Sequence, residues 1–209
     1  MNYLKIAAWD LDGTLYSITP EIQRRVNEKI YQKISETKNW SVERSREEFH
    51  SRYQRLHGAT ASLMDLGLEK ETMQRCLEEA DILDLLEHDE KLVKMFNNLN
   101  YLRHILVTGS SRELATEKLN RIGLNDVFEY MITADDVKNP KPHPESIEKL
   151  LQYTGLPPQS HVWIDDRKEH ALVARERGLR IILVGGKKEK SDLWVPKIYD
   201  IEKILMVKK

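Results

Sequence analysis

The sequence contains almost no cysteine. Cys76 is the only one among 209 residues, so no disulfide can form within the chain and no zinc site can be built from several thiolates. Its surroundings have a helical pattern, which favours an inert side chain over a nucleophile.

Long apolar runs are also missing. No run approaches the roughly 20 apolar residues that a membrane-spanning helix needs. The first residues, Met1-Asn2-Tyr3-Leu4-Lys5, lead directly into a short apolar run and lack the apolar length of a signal peptide. We therefore expect a cytoplasmic protein without a membrane partner.

The chain has no surplus of either charge. Its 33 Lys and Arg residues nearly balance its 34 Asp and Glu residues, giving a net charge of −1. This balance gives no reason to expect a nucleic-acid polymer as partner. The most biased patch, Lys187-Lys188-Glu189-Lys190, is expected to be a solvated loop. The sequence does not indicate an oligomeric state.

Short apolar runs alternate with helical patterns along most of the chain. The runs predict buried parallel strands at Ile6–Trp9, Ile105–Val107, Val162–Ile164 and Ile181–Val184. The helical patterns cover Ser111–Ile122, Pro144–Tyr153 and Arg167–Arg177. This alternation predicts an α/β fold whose core is a doubly wound, Rossmann-like parallel sheet.

One long segment near the N-terminus shows no strand pattern. From Glu21 to Leu86 the chain is rich in charged residues with spaced apolar side chains, and Ser41 fits a helix N-cap. Asp89 fits the N-cap of a helix that returns the chain to the core. We predict an inserted α-helical cap at residues 18–86 and an α/β core formed by residues 1–17 and 87–209.

Polar residues follow the predicted strands, and in an open α/β sheet ligands bind beyond the carboxyl ends of the strands. The residues that the sequence brings to this edge are Asp10, Asp12, Thr108, Gly109, Lys141, Asp165 and Asp166. Taken singly, each has a structural explanation as a turn, cap or solvated loop residue. Taken together, they place four carboxylates and one lysine at neighbouring strand ends.

Such a set suits phosphoryl transfer. Crowded carboxylates require a cation, and their hard oxygen ligands favour Mg²⁺. One carboxylate can attack phosphorus, while Mg²⁺, Lys141 and the Thr108 hydroxyl stabilise the equatorial oxygens. Asp12, two residues after Asp10, can protonate a leaving group and later activate water. Gly13 allows the chain to turn sharply away from the phosphate.

These residues resemble the haloacid dehalogenase superfamily of phosphatases. Its four motifs occur in order as Asp10-Leu11-Asp12-Gly13-Thr14-Leu15, Val107-Thr108-Gly109, Lys141-Pro142-His143-Pro144 and Trp163-Ile164-Asp165-Asp166. The resemblance covers Ile6 to Val184. It implies Asp10 as nucleophile, Asp12 as acid and base, and Lys141 as a bridge between nucleophile and phosphate.

The resemblance also implies the ligands of the metal and the phosphate. Mg²⁺ is expected on the Asp10 side chain, the Asp12 carbonyl and Asp165, with Asp166 as a ligand or its neighbour. Thr108 is expected on the phosphate. Gly109 stands where many relatives carry Asn, so only its backbone amide is a candidate phosphate contact.

The predicted cap contains a segment similar to that of pyrimidine 5′-nucleotidase-like members of the superfamily. This segment runs from Tyr53 to Met64 and includes Arg55 and His57. Both side chains are candidate substrate contacts, and the alternative is an ordinary charged helix face.

The expected function is Mg²⁺-dependent hydrolysis of a small phosphorylated metabolite through an aspartyl-phosphate, with a nucleoside 5′-monophosphate as one candidate. The presence of Asp12 favours phosphate esters over halides, because the dehalogenases of the superfamily lack this second acid. Two alternatives stay open: a sugar phosphomutase of the same fold, and a regulatory or binding protein without catalysis. The residues do not separate phosphatase from mutase.

Overall fold

The computed structural model describes residues 4–186 and 193–206. The predicted solvated loop at 187–190 lies outside the described residues. The chain forms two compact units: one holds the segments up to Ser17 and from Leu86 onward, and the other is Ile18–Leu85.

The first unit is built on one parallel sheet. Its strands are β1 (Ile6–Trp9), β2 (Arg103–Val107), β3 (Tyr130–Ile132), β4 (His161–Asp165), β5 (Arg180–Val184) and β6 (Leu193–Val195). They lie in the order β3-β2-β1-β4-β5-β6, and every neighbouring pair is parallel. This is the strand order of the classical doubly wound fold. The predicted α/β fold class is confirmed.

Helices connect these strands and form the second unit. In chain order they are α1 (Pro20–Lys38), α2 (Val42–Leu56), α3 (Ala59–Asp65), α4 (Thr72–Glu79), α5 (Glu90–Asn98), α6 (Arg112–Ile122), α7 (Glu145–Thr154), α8 (Lys168–Glu176) and α9 (Ile201–Met206). Side chains cap several N-termini by accepting a backbone hydrogen bond. Asp89 accepts from the backbone N–H of Leu92 at 3.0 Å, and Ser111 accepts from that of Leu114. Gly123 ends α6 in the left-handed conformation.

Both faces of the central sheet are buried. On one face, Ile6 and Ala8 of β1 pack in a cluster with Ile147 of α7 and Ala171 of α8. On the other face, the Trp9 ring lies 4.7 Å from the ring of Phe96 in α5. Burial on two sides explains why the central strands have continuous apolar sequences rather than alternating ones.

The second unit is entirely helical. Every residue of Ile18–Leu85 is described, and none of them lies in a strand. In α1, the residues that face the interior are Ile22, Val26, Ile30, Tyr31 and Ile34. Ser41 caps α2 by accepting from the backbone N–H of Arg44 at 3.2 Å. Cys76 is fully buried in α4, and burial raises the pKa of its thiol to about 11, which keeps it protonated and unreactive.

A helix that crosses a bilayer must be both long and apolar. Among the helices of residues 4–186 and 193–206, none meets this requirement.

Candidate active site

The central strands of the sheet end together at one edge. β1 lies between β2 and β4: the chain runs outward from β1 to β2 and β3, and then returns to place β4 on the other side of β1. The edge between β1 and β4 is therefore the topological switch point where doubly wound sheets bind ligands. Asp10 follows β1, Thr108 follows β2 and Asp165 ends β4, so the polar residues of three strands meet there.

Lys141 reaches this edge from a loop and is buried. Its Nζ lies 2.5 Å from Asp10 Oδ1, 3.0 Å from the Val107 carbonyl and 3.5 Å from Asp165 Oδ2. Burial lowers the pKa of Lys141, but the nearby carboxylates outweigh it and hold the pKa above its ordinary value. The ammonium group is thus a fixed positive charge beside Asp10.

Asp10 is the carboxylate at the centre of this group. Its Oδ1 accepts from Lys141, and its Oδ2 accepts from the Thr14 hydroxyl at 3.2 Å. Burial, with added repulsion from Asp165 and Asp166, raises the pKa of Asp10 to about 8 despite the Lys141 charge. One lysine therefore does not compensate the carboxylates gathered here.

Asp165 is fully buried and surrounded by donors. Its Oδ2 accepts from Trp163 Nε1 at 3.1 Å and lies 3.2 Å from His170 Nδ1. Its Oδ1 accepts from the backbone N–H of Arg167 at 2.9 Å. Burial raises the pKa of Asp165, but Lys141, His170 and these donors outweigh it and keep the group ionised. Asp165 is held rigidly in place.

Asp166 has the opposite environment. Its Oδ1 is buried and has no hydrogen-bond partner among the described residues. Burial and the Asp165 charge raise the pKa of Asp166 to about 7. Gly13 makes room for this carboxylate: its φ is +92°, and a Cβ there would lie 2.5 Å from Asp166 Oδ2. A buried carboxylate oxygen that receives no hydrogen bond is suited to be a metal ligand.

The donor set fits a hard divalent cation. Ligand oxygens of Asp10, Asp165 and Asp166 all lie within 4.8 Å of one another. Three carboxylates beside one lysine leave two negative charges when all are ionised. The carboxylate oxygens are ligands that Mg²⁺ prefers, and the two uncompensated negative charges match its charge of +2. The Asp166 oxygen, which has no hydrogen-bond partner in the described part of the chain, can bind the ion directly. These residues would hold the ion.

Asp12 belongs to a separate cluster with its own lysine. Lys118 Nζ lies 2.5 Å from Asp12 Oδ1, and its side chain is 0% exposed. The Tyr16 hydroxyl donates to the same oxygen, and the Ser110 hydroxyl donates to Oδ2 at 3.0 Å. Burial raises the pKa of Asp12, but Lys118 and these donors outweigh it and lower the pKa below its ordinary value.

Lys118 was absent from the residues predicted for the site. A signal for it exists in the sequence. Lys118 follows Leu114 by four residues and Ala115 by three, so it lies on the buried stripe of α6. A lysine within an apolar stripe needs a buried anion as partner. His170 and Thr14 were likewise missed as contacts of Asp165 and Asp10.

The remaining predicted residues lie in two places. Thr108 is buried after β2, where its Oγ1 accepts from the backbone N–H of Ser110 at 3.1 Å. Gly109 borders open space, because a Cβ there would meet nothing within 4 Å. Arg55 pairs with Asp65 at 2.9 Å, and His57 ends α2, both in the second unit. Their roles in substrate binding stay predictions.

Comparisons with known proteins identify the family and the fold of the chain. A family model described as haloacid dehalogenase-like hydrolase matches residues 4–178. A pyrophosphatase PpaX of Halalkalibacterium halodurans is 31% identical over 80 residues, which are 38% of this chain and 37% of that protein. A phosphorylated carbohydrates phosphatase of Thermotoga maritima is 27% identical over an alignment of 135 positions, and the match covers 54% of this chain and 62% of that protein.

The fold comparison extends over nearly the whole chain. The crystal structure of a HAD phosphatase from Thermococcus onnurineus has a TM-score of 0.71 and 22% sequence identity, and the match covers 97% of this chain and 98% of that one. The two curated relatives are matched over less than two thirds of their own length. The comparisons therefore establish a fold and a family, whereas substrate and reaction depend on the site.

Proposed function

The chain belongs to the haloacid dehalogenase-like hydrolase family, and on that basis we propose that it is a Mg²⁺-dependent phosphatase of small phosphorylated substrates. The observation that carries the proposal is the contact of 2.5 Å between Lys141 Nζ and Asp10 Oδ1 beside two further aspartates. A nucleophilic carboxylate, a buried cation and a metal-binding set occupy one sheet edge.

Each residue has a defined task in the proposed reaction. An oxygen of Asp10 attacks phosphorus, the bond to the leaving-group oxygen breaks, and Asp12 in its acid form gives that oxygen a proton, which leaves an aspartyl-phosphate and the free alcohol. Lys141 stabilises the charge on the phosphoryl oxygens, as does Mg²⁺ when it is bound. Thr14 holds the second Asp10 oxygen and orients the first. Water then hydrolyses the intermediate with Asp12 as the base.

The relatives suggest two substrate classes. One named relative acts on pyrophosphate and another on phosphorylated carbohydrates. Both classes present a terminal phosphoryl group, which the strand-end residues can receive. The nucleoside 5′-monophosphate predicted from the sequence is a third class, and it is suggested by the resemblance of the segment from Tyr53 to Met64.

A substrate panel tests the proposal. We expect phosphate release in the presence of Mg²⁺ from at least one of p-nitrophenyl phosphate, pyrophosphate, sugar phosphates and nucleoside 5′-monophosphates. D10N should abolish it, whereas the matched control D126N changes an exposed aspartate of the same unit and should retain it. Full activity of D10N, or no release from any substrate, would contradict the proposal. Isomerisation of a sugar phosphate with little free phosphate would indicate a mutase instead.

A further inference from the structure

Lys118 is a fully buried lysine that the reaction described above does not use. Its side chain is 0% exposed on the apolar stripe of α6. Burying an ammonium group is strongly unfavourable unless an anion and hydrogen-bond acceptors compensate it. Its partners are Asp12 Oδ1 at 2.5 Å and Ser110 Oγ at 2.9 Å. The lysine is therefore placed to act on Asp12.

The Asp12 carboxylate is held by donors from three elements. Lys118 reaches it from α6, Ser110 from the loop after β2 and Tyr16 from the loop after β1. Ser110 accepts from Lys118 and donates to Asp12 Oδ2 at 3.0 Å, so the lysine orients the serine hydroxyl as well. Rotation of the carboxylate would break at least one of these bonds, which fixes its orientation.

We propose that Lys118 is a positioning residue that fixes the Asp12 carboxylate as the base for hydrolysis of the aspartyl-phosphate. This inference rests on the proposed phosphatase function. The site then contains two buried lysines with different tasks. Lys141 contacts the nucleophile, whereas Lys118 contacts only the base and its serine neighbour among the contacts described for it.

The step that Lys118 supports is the second half of the reaction. Asp12 takes a proton from water while the water oxygen forms a bond to phosphorus. The bond between phosphorus and the Asp10 oxygen breaks, and its electron pair regenerates the Asp10 carboxylate. Inorganic phosphate leaves, and the proton on Asp12 passes to solvent. Lys118 keeps its own proton throughout.

The kinetic test uses p-nitrophenyl phosphate with Mg²⁺, because nitrophenolate departs without needing a proton. The variant K118M should leave kcat/KM nearly unchanged, since this ratio reports the transfer of phosphate to Asp10. It should lower kcat by about tenfold or more, because the base is misplaced in the second step. A burst of nitrophenolate should appear as the aspartyl-phosphate accumulates.

A second variant keeps the test valid if K118M folds poorly. Y16F retains the ring and removes one donor to Asp12, so it should cause the same pattern with a smaller loss of kcat. The matched control K94M changes an exposed lysine of α5 in the same way and should alter neither constant. A parallel fall of kcat and kcat/KM without a burst in both Y16F and K118M, or no change in either, would overturn the proposed role.

A stability measurement tests the pairing without using activity. The denaturation midpoint of K118M should fall below that of the wild type, and K118M should cost much less when added to D12N, because the lysine has then lost its anion. Equal losses in both backgrounds would contradict the pairing. If the wild type hydrolyses no substrate, the phosphatase proposal itself fails. If the wild type is active and K118M behaves like it, only the role of Lys118 fails.

Discussion

Lys141 Nζ lies 2.5 Å from Asp10 Oδ1, and both side chains are almost closed to solvent, with exposures of 9% and 8%. In a salt bridge buried this deeply, each charge acts strongly on the other, because water does not screen the interaction between them. The lysine belongs to a loop rich in proline, yet it occupies the interior of the site. Its contact with Asp10 is the basis for the first prediction.

Replacing Lys141 should remove the fixed positive charge that stabilises the transferred phosphoryl group. We expect K141M to lower kcat/KM by about 10²–10³-fold, as loss of one preorganised electrostatic donor typically does. The same substitution at the exposed Lys94 should have no effect. Activity assays with Mg²⁺ and p-nitrophenyl phosphate measure both variants, and a near-wild-type K141M would refute the role.

The two neighbouring aspartates should respond in opposite ways to neutralisation. D166N removes a charge from a crowded group whose Oδ1 has no partner among the described residues, so without Mg²⁺ it should stabilise the protein. D165N replaces a carboxylate whose two oxygens accept hydrogen bonds from the Trp163 indole and the Arg167 backbone N–H, so it should destabilise the protein. Thermal denaturation in the presence of a chelator compares them.

Added Mg²⁺ should stabilise the wild type and not D166N. At roughly 100 times its Kd, the ion should contribute about 2.7 kcal/mol to the free energy of unfolding. The same denaturation experiment, repeated with millimolar Mg²⁺, measures this difference. Equal stabilisation of both proteins would mean that Asp166 is not a ligand.

Gly13 should be required for metal binding beyond its effect on the backbone. In G13A the new Cβ would lie 2.5 Å from Asp166 Oδ2, whereas G155A places a Cβ where nothing lies within 4 Å. Both glycines have positive φ, +92° and +63°, so each variant should lose about 1 kcal/mol or more of stability. Only G13A should also weaken Mg²⁺ binding. Calorimetric titration of both variants checks this, and equal affinities would contradict it.

Folding stability should fall in mild acid because of His104, a buried residue of β2. The Trp9 indole donates to His104 Nδ1 at 3.0 Å, which requires that nitrogen to be unprotonated. Burial lowers the pKa of His104 to about 4. Between these two pKa values His104 is protonated in the unfolded chain but not in the folded one. The folding stability therefore falls as the pH drops below 6.5, the pKa of the histidine in the unfolded chain.

The contribution of His104 to the pH dependence of stability can be measured by comparing the wild type with a variant that lacks this histidine. Between pH 7 and pH 5, His104 alone should remove roughly 2 kcal/mol of stability. Urea unfolding of the wild type and H104N at both pH values isolates it from other groups. H104N should lose less stability than the wild type over this interval, and identical losses would show that His104 titrates normally.

The sequence predicted the centre of the fold better than its edges. β1, β2, β4 and β5 are buried on both faces and have continuous apolar runs, so the pattern alone identified them. β3 and β6 were not predicted. Each has only three residues, and only the last residue of each is buried, so neither has the apolar run that identifies a strand.

The site was predicted to the extent that its residues follow strands. Asp10, Asp165 and Asp166 meet at the sheet edge because parallel strands end together, whereas Lys141 reaches the same edge from a loop. Lys118 could not be found in this way, since it comes from the middle of a helix and is separated from Asp12 by 106 positions. Pairing across that distance depends on how α6 packs, which residue spacing does not reveal.

The strand that precedes Asp10, β1, has no early partner during synthesis. Ile6 of β1 pairs with Arg103 of β2 and with His161 of β4, so both neighbours are synthesised long after it. The helices of Ile18–Leu85 leave the ribosome in between and make their own contacts. During synthesis, the apolar strand β1 therefore stays unpaired until its partner strands have left the ribosome. A chaperone that shields this strand should increase the yield of folded protein more than one acting on the helical unit.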